Sequence, residues 1–295
     1  MKRHRIISLG EVLWDVFPDR ECFGGAPANF ACHAAILGGD IAMVSAVGND
    51  WYGQEAIQIL RSLNIDVSLL QIIPDARTGT VGVALDDSGH PTFTIHEGSA
   101  WDQIAWNEEL ESQVTRADTV YFGTLGQRSE VSRGTIRRCV EAARDAGIPR
   151  VLDNNLRRPF FDSAMIRESI QLASILKLSD DELSNVCVAC GIRSTNQPND
   201  ILSELLNTQA LELVVMTRGA EGAVLATPDE IIEQPGIPTT VRDTVGAGDS
   251  FAAAFILGVL RGASHQQNLL SACSVAATVC SHAGAVPEHL TLPIL

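Results

Sequence analysis

Lysine is almost missing from this 295-residue chain: of its 21 basic residues, only Lys2 and Lys177 are lysines. Neither closes a Gly-x-x-x-x-Gly-Lys pattern, so a P-loop NTPase is excluded as written. A phosphate would have to be held by helix N-termini and arginines. A dinucleotide fingerprint is missing too. Leu9-Gly10-Glu11 stands after the first apolar run, where an NAD-dependent dehydrogenase would carry Gly-x-Gly-x-x-Gly. No apolar run reaches membrane-spanning length. The net charge of −15 argues against nucleic acid or an anionic membrane as the main partner. Any anion site must therefore be local.

The N-terminus Met1-Lys2-Arg3-His4-Arg5 is basic, but the apolar stretch 6–9 is too short for a signal-peptide core, and Glu11 and Asp15 follow. The seven cysteines are an odd number scattered along the chain, which suits free thiols in a reducing compartment. A cytoplasmic protein is expected. Cys187-Val188-Ala189-Cys190 has no second pair, so a helix burying two thiols is a better reading than a zinc or redox site.

Hydrophobic residues make up 45% of the chain, enough for a sizeable core. Short apolar runs predict strands at 5–9, 41–47, 119–122, 150–153, 175–178 and 213–217. Helical patterns fall at 27–37, 51–63, 133–146, 180–190, 201–206, 247–260 and 266–282. This alternation predicts an α/β fold: a parallel sheet covered on both faces by helices. Segments 12–17 and 78–96 break the rhythm as extra strands, and Asp86-Asp87-Ser88-Gly89 is a hairpin-turn signal between two of them. There is no internal repeat or low-complexity linker. One domain over 1–295, with a small β lid from 12–24 and 77–97, is expected.

Four clusters can carry chemistry. In Asp243-Thr244-Val245-Gly246-Ala247-Gly248-Asp249-Ser250-Phe251 a glycine turn opens an apolar helix. Unpaired N–H groups at such a start attract an anion. Asp249 would repel that anion unless a hydroxyl lies between them, whose proton it could take. An ordinary helix start with an acidic first turn is the plain alternative. In Gly24-Gly25-Ala26-Pro27-Ala28-Asn29-Phe30, Asn29 is a polar residue on a small, apolar helix start, free to bond a polyol or satisfied by backbone. Asp153-Asn154-Asn155-Leu156-Arg157-Arg158-Pro159 follows a strand, where arginines can clamp oxygens or simply line a solvated loop. In Lys177-Leu178-Ser179-Asp180-Asp181-Glu182, Ser179 and Glu182 have capping-box spacing, and Glu182 could also hold a hydrated Mg²⁺.

Taken in order, these clusters resemble the ribokinase-like (PfkB) family of sugar and nucleoside kinases over essentially the whole chain. Residues 24–39 resemble its first signature. Residues 243–258 resemble its second, with the Asp-Thr-x-Gly-Ala-Gly-Asp core intact, and Asp153-x-Asn155-x-Arg157 matches a further motif. The resemblance implies a Rossmann-like sheet with a β lid, and ATP-dependent phosphorylation of a primary alcohol. It implies Asp249 as the catalytic base and the Gly246, Ala247 and Gly248 amides as an anion hole. Asp15, Gly25, Asn29 and Arg157 fall where members bind the sugar or complete the active site. Thr217, Gly219 and Gly222 fall in the nucleotide region.

Glu182 would meet Mg²⁺ through water, although the usual Asn-x-x-Glu reads Ser179-x-x-Glu182 here. Many members bind a monovalent cation such as K⁺, here around Asp243, Val245 and 283–285. Gly10-Glu11-Val12-Leu13-Trp14-Asp15-Val16-Phe17-Pro18 resembles the fructokinase branch, so fructose to fructose 6-phosphate is the expected reaction. A 2-keto-3-deoxygluconate kinase, a ribokinase or a nucleoside kinase are the alternatives, with a non-catalytic sugar-binding protein behind them. An acid substrate would want an extra arginine, which Arg77 or Arg128 could supply. An open edge on the lid would allow a homodimer joined through it.

Overall fold

A computed structural model describes residues 3–85, 91–193 and 197–287. Its strands are β1 (Arg5–Leu9), β2 (Leu13–Val16), β3 (Glu21–Gly24), β4 (Asp40–Gly48), β5 (Leu70–Ile73), β6 (Gly79–Leu85), β7 (Pro91–Ile95), β8 (Thr119–Gly123), β9 (Arg150–Asp153), β10 (Ile175–Ser179), β11 (Leu213–Thr217), β12 (Ala223–Ala226) and β13 (Ile231–Gln234). The helices are α1 (Ala26–Ile36), α2 (Trp51–Ser62), α3 (Glu108–Val114), α4 (Glu130–Asp145), α5 (Ser163–Leu172), α6 (Leu183–Cys190), α7 (Pro198–Thr208), α8 (Ala247–Leu260) and α9 (His265–Cys280).

The main sheet has the order β13-β12-β11-β10-β9-β8-β1-β4-β5. Its pairs are parallel from β11 to β5, and β12 and β13 add an antiparallel edge. From β1 the chain moves outward through β4 and β5, then returns to β8 on the other side. Open α/β sheets bind ligands at the strand carboxyl ends beside such a reversal. Alternation along β1 sends Ile6 to one face and Ile7 to the other. The Ile6 face is covered by α1, α2, α8 and α9, and the Ile7 face by α3 to α7.

α8 is buried at every position from Ser250 to Gly258. It therefore has no polar face, and its close neighbour α1 offers Ala28, Ala31 and Ala34 at helical spacing. Small residues let the two backbones approach, which fixes the start of α8 against the start of α1.

A second sheet has the order β3-β2-β6-β7. In it Asp15 pairs with Cys22 on one side and with Val81 on the other. The turn signal at 86–89 lies outside the described residues. Several elements go beyond the sequence pattern: β5, β12, β13, α3 and α5. The helix expected at 180–190 divides into a 3-10 turn at Asp180–Glu182 and α6. Cys187 and Cys190 lie on α6 as free thiols, and burial raises the pKa of both. Among the described residues no cluster of His, Cys, Asp and Glu could hold a metal ion by itself. No helix among them is long and apolar enough to cross a membrane.

Candidate active site

The Gly246 turn opens α8 with φ 78°, the left-handed region. A Cβ there would collide with the Ala285 carbonyl, so the segment after α9 packs directly against the helix start. His33 of α1 holds that same carbonyl at 2.8 Å from its Nε2. Burial lowers the His33 pKa to about 4, against the opposing bond to Ala285, so the ring is neutral and Nε2–H donates. The Ala247 amide makes a long turn bond to the Thr244 carbonyl, 3.3 Å. Gly248 and Asp249 follow as the second and third helical residues, positions whose amides have no intrahelical acceptor.

Asp249 is held from α1: Asn29 Nδ2 donates to its Oδ2 at 2.8 Å. Burial and the nearby Asp153 charge raise its pKa to about 6, against the Asn29 bond, Lys177 and Arg157. Beneath it lies a buried polar chain. Lys177 Nζ bonds both oxygens of Asp153, at 3.0 and 3.1 Å. Tyr121 Oη donates to Asp153 Oδ2 at 2.8 Å, and the Tyr121 ring stacks on Phe30 of α1. Burial opposes charge on Lys177, but Asp153, Glu182 and Asp249 outweigh it and leave its pKa raised. The ammonium is therefore charged at neutral pH.

Two cavities meet at this helix start, and Thr244 and Gly248 border both. The smaller is about 490 Å³ and is lined by Glu11, Asp15, Gly25, Asn29, Arg157 and Asp249, among others. Gly25 has φ 103°, and a Cβ on it would stand 2.6 Å from the Glu11 carbonyl. Asp15 reaches in from β2, its pKa raised to about 6 by burial against the pull of Arg157. Glu11, only 2% exposed, has its pKa raised to about 7 by burial, and its Oε2 is without a partner. Asn29 Oδ1 is likewise buried without a partner. Val81, Phe93 and Ile95 of the second sheet complete the wall.

The larger cavity, about 620 Å³, lies across the ends of β10 and β11. Thr217, Gly219 and Gly222 line it, as do Ala247, Phe251 and the α9 residues Cys273, Ala276 and Ala277. Its wall is mostly small and apolar.

These features meet in one known family. The pfkB family carbohydrate kinase model matches residues 9–291. The chain belongs to the pfkB family of carbohydrate kinases. Its enzyme class is that of the ATP-dependent sugar kinases. It is 31% identical over 258 residues to a fructokinase of Salmonella typhimurium, covering 84% of this chain and 82% of that one. The crystal structure of a fructokinase from Xylella fastidiosa with bound ATP shares the fold, with a TM-score of 0.85 at 21% identity, over 96% of this chain and 94% of that one. A double-mutant fructokinase of Vibrio cholerae with fructose, ADP and potassium bound has a TM-score of 0.79 at 25% identity, over 97% of this chain and 96% of that one.

In this sugar kinase the two candidate cation sites differ. Glu182 lines neither cavity. Its Oε1 accepts from the Leu156 amide at 2.5 Å and its Oε2 from the Ser179 amide at 2.9 Å, the latter within a capping box. Burial raises its pKa against the attraction of Lys177. Each oxygen keeps a second lone pair, which fits an outer contact through water to Mg²⁺ carried on phosphates. Asp243 joins two backbone segments. Its Oδ1 accepts from Val245 N at 3.1 Å and its Oδ2 from Gly284 N at 2.8 Å. A carboxylate bridging two loops in this way fits a K⁺ held between them by its remaining lone pairs and backbone carbonyls.

Sequence reasoning missed Glu11, Tyr121 and the Lys177–Asp153 pair as site residues. Their partners lie tens of residues away, and only the rarity of lysine singled out Lys177. It also offered Arg77 and Arg128 for an acid substrate. Arg128 is instead locked onto both oxygens of Asp102 at 2.8 Å and stacked over Trp101, and Arg77 is exposed away from the smaller cavity.

Proposed function

We propose that this kinase transfers the γ-phosphoryl group of ATP to the primary hydroxyl of a neutral monosaccharide, fructose to fructose 6-phosphate. One observation carries the reading: the start of α8 is a wall shared by two cavities, with a carboxylate on the side of the polar one. The sugar occupies the smaller cavity, where Glu11, Asp15, Asn29 and Arg157 offer acceptors and donors to hydroxyls. Arg157 and Lys177 are the cationic side chains lining that cavity among the described residues, with Lys177 paired to Asp153. Three carboxylates, Glu11, Asp15 and Asp249, share the space. This charge balance supports a neutral sugar over a sugar acid.

ATP occupies the larger cavity, its base against the small residues of α9 and its phosphates towards Gly248. Asp249 accepts the proton of the attacking hydroxyl. The amides at 246–248 face the charge that grows on the phosphoryl oxygens. Mg²⁺, when bound, neutralises charge on the nucleotide phosphates, with Glu182 contacting it through water. K⁺ between Asp243, Val245 and 283–285 would steady the loop behind Gly246.

The four-stranded sheet acts as a lid whose Phe93 and Ile95 close over sugar and exclude water. ATP hydrolysis without sugar running as fast as sugar phosphorylation would overturn this gating. The open edge at β7, with Phe93 exposed beside it, supports a homodimer through the lids. A single monomeric species in sedimentation removes that element. The decisive experiment is ATP turnover across fructose, ribose, nucleosides and 2-keto-3-deoxygluconate, with the phosphate position read by ³¹P NMR. Fructose 6-phosphate as the main product is expected; turnover only with the acid or a nucleoside would replace the reading.

A further inference from the structure

Lys177 is 7% exposed and lines the smaller cavity. Two of its three N–H groups go to Asp153. Its Nζ packs against Gly248: a Cβ on that glycine would stand 3.2 Å from it. Gly248 is one of the two residues, with Thr244, that border both cavities. The only other lysine of the chain is Lys2. The ammonium is paired by Asp153, which also accepts from Tyr121. Its third N–H has no protein acceptor among the described residues, although Nζ touches the shared wall, where an arriving anionic group would be its partner.

We propose that Lys177 is a catalytic residue whose third N–H contacts the phosphoryl group in transit, below the amides at the start of α8. The inference rests on the phosphoryl-transfer reading above. In that step a bond forms from the sugar oxygen to the γ-phosphorus. The bond from that phosphorus to the β–γ bridging oxygen breaks, and its electron pair leaves with ADP. The hydroxyl proton goes to Asp249. Lys177 keeps its proton throughout and meets the charge spread over the equatorial oxygens. Asp153 and Tyr121 act behind it as positioning residues that aim the ammonium.

The rarity of lysine provides a direct test on the unaltered protein. With ¹⁵N-labelled lysine, Lys177 contributes one of only two side-chain signals. Adding sugar with MgADP and aluminium fluoride, a planar mimic of the phosphoryl group, is expected to shift the Lys177 signal strongly, whereas sugar alone shifts it little. An unmoved signal in the full complex overturns the proposal.

Kinetics provide the second test. Lys177→Met is expected to lower kcat by about 10²–10³ while sugar KM changes less than about threefold. The double variant Lys177→Met with Asp153→Asn removes both charges of the pair and serves if the single variant fails to fold. If Lys177 only neutralises Asp153, the double variant regains activity to within about tenfold of the unaltered enzyme, and the proposal is wrong. If it remains about 10²-fold down with near-normal sugar binding, the contact to the phosphoryl group stands. The same sugar panel on the unaltered enzyme separates the two readings. No phosphorylated sugar at all would remove the phosphoryl-transfer assignment itself, whereas normal turnover in Lys177→Met removes only this inference.

Discussion

The two cavities share a wall but recognise by different means. The smaller presents Glu11, Asp15, Asn29, Arg157 and Asp249 within about 490 Å³. The larger, about 620 Å³, is walled mostly by small and apolar residues, with Asp180 and Asp181 at its exposed part. On the proposed reading, side chains of the smaller cavity would select hydroxyls, each polar group left without a partner penalising the wrong ligand. Shape and backbone of the larger would select a flat ring, with tolerance of substitution set by volume. The contrast teaches that the carboxylates shielded from solvent lie on one side of the start of α8, whereas those of the larger cavity, Asp180 and Asp181, are exposed.

The sharpest way to break this comparison is Asp249→Asn. It is expected to keep sugar binding and lose about 10²–10⁴ of turnover, measured by coupled ADP release. Near-normal turnover would move the base elsewhere. Asp15→Ala should act on binding. Sugar KM is expected to rise about 10- to 100-fold, as for lost hydrogen bonds of about 1.5–3 kcal/mol, with ATP KM nearly constant. Ala277→Leu should do the opposite, raising ATP KM about tenfold by filling the larger cavity while sugar binding holds. If both variants shifted both constants equally, the division between the cavities would be wrong.

Acidity sharpens the comparison further. As the proposed base, Asp249 would have to be ionised to work, and its pKa is raised to about 6. The kcat/KM for sugar is therefore expected to fall about tenfold per pH unit below that value and to level off above it. Glu11, raised to about 7, overlaps the upper part of this limb. A flat profile from pH 5 to 8 would contradict it.

Stability should run the other way. A carboxylate whose folded pKa exceeds its unfolded value binds more protons when folded, so its unfavourable contribution grows as pH rises from about 4 through 6. Asp249→Asn is thus expected to raise the Tm of the ligand-free protein at pH 7 by about 2–4 °C, the smallest effect here. A lower Tm would mean the Asn29 bond outweighs the burial of charge.

The main sheet was legible because its central strands carry short apolar runs, at 6–7, 151–152 and 213–216, alternating with helical patterns. The start of α8 was legible from its glycines. β12 and β13 were not, since Ile231–Gln234 has alternating exposure over only four residues at a sheet edge. α5 was missed although Asp162 caps it, accepting from the Met165 amide at 2.7 Å. In the site, residue types were readable and pairings were not. Asn29 reads as a residue free to bond a polyol or satisfied by backbone, yet one N–H of its amide goes to Asp249, 220 residues away, and its oxygen is buried without a partner. Such pairings depend on how α1 and α8 pack, which no local spacing encodes.

One continuous stretch of chain, from Glu11 to Asn29, runs off β1, out through β2 and β3, and back into α1. It carries Glu11, whose Oε2 has no partner, at one end, Asp15 midway, and the residue gripping Asp249 at the other. Two carboxylates of the smaller cavity and the partner of a third thus belong to one short run of chain, so any insertion or deletion in β2 or β3 falls between them.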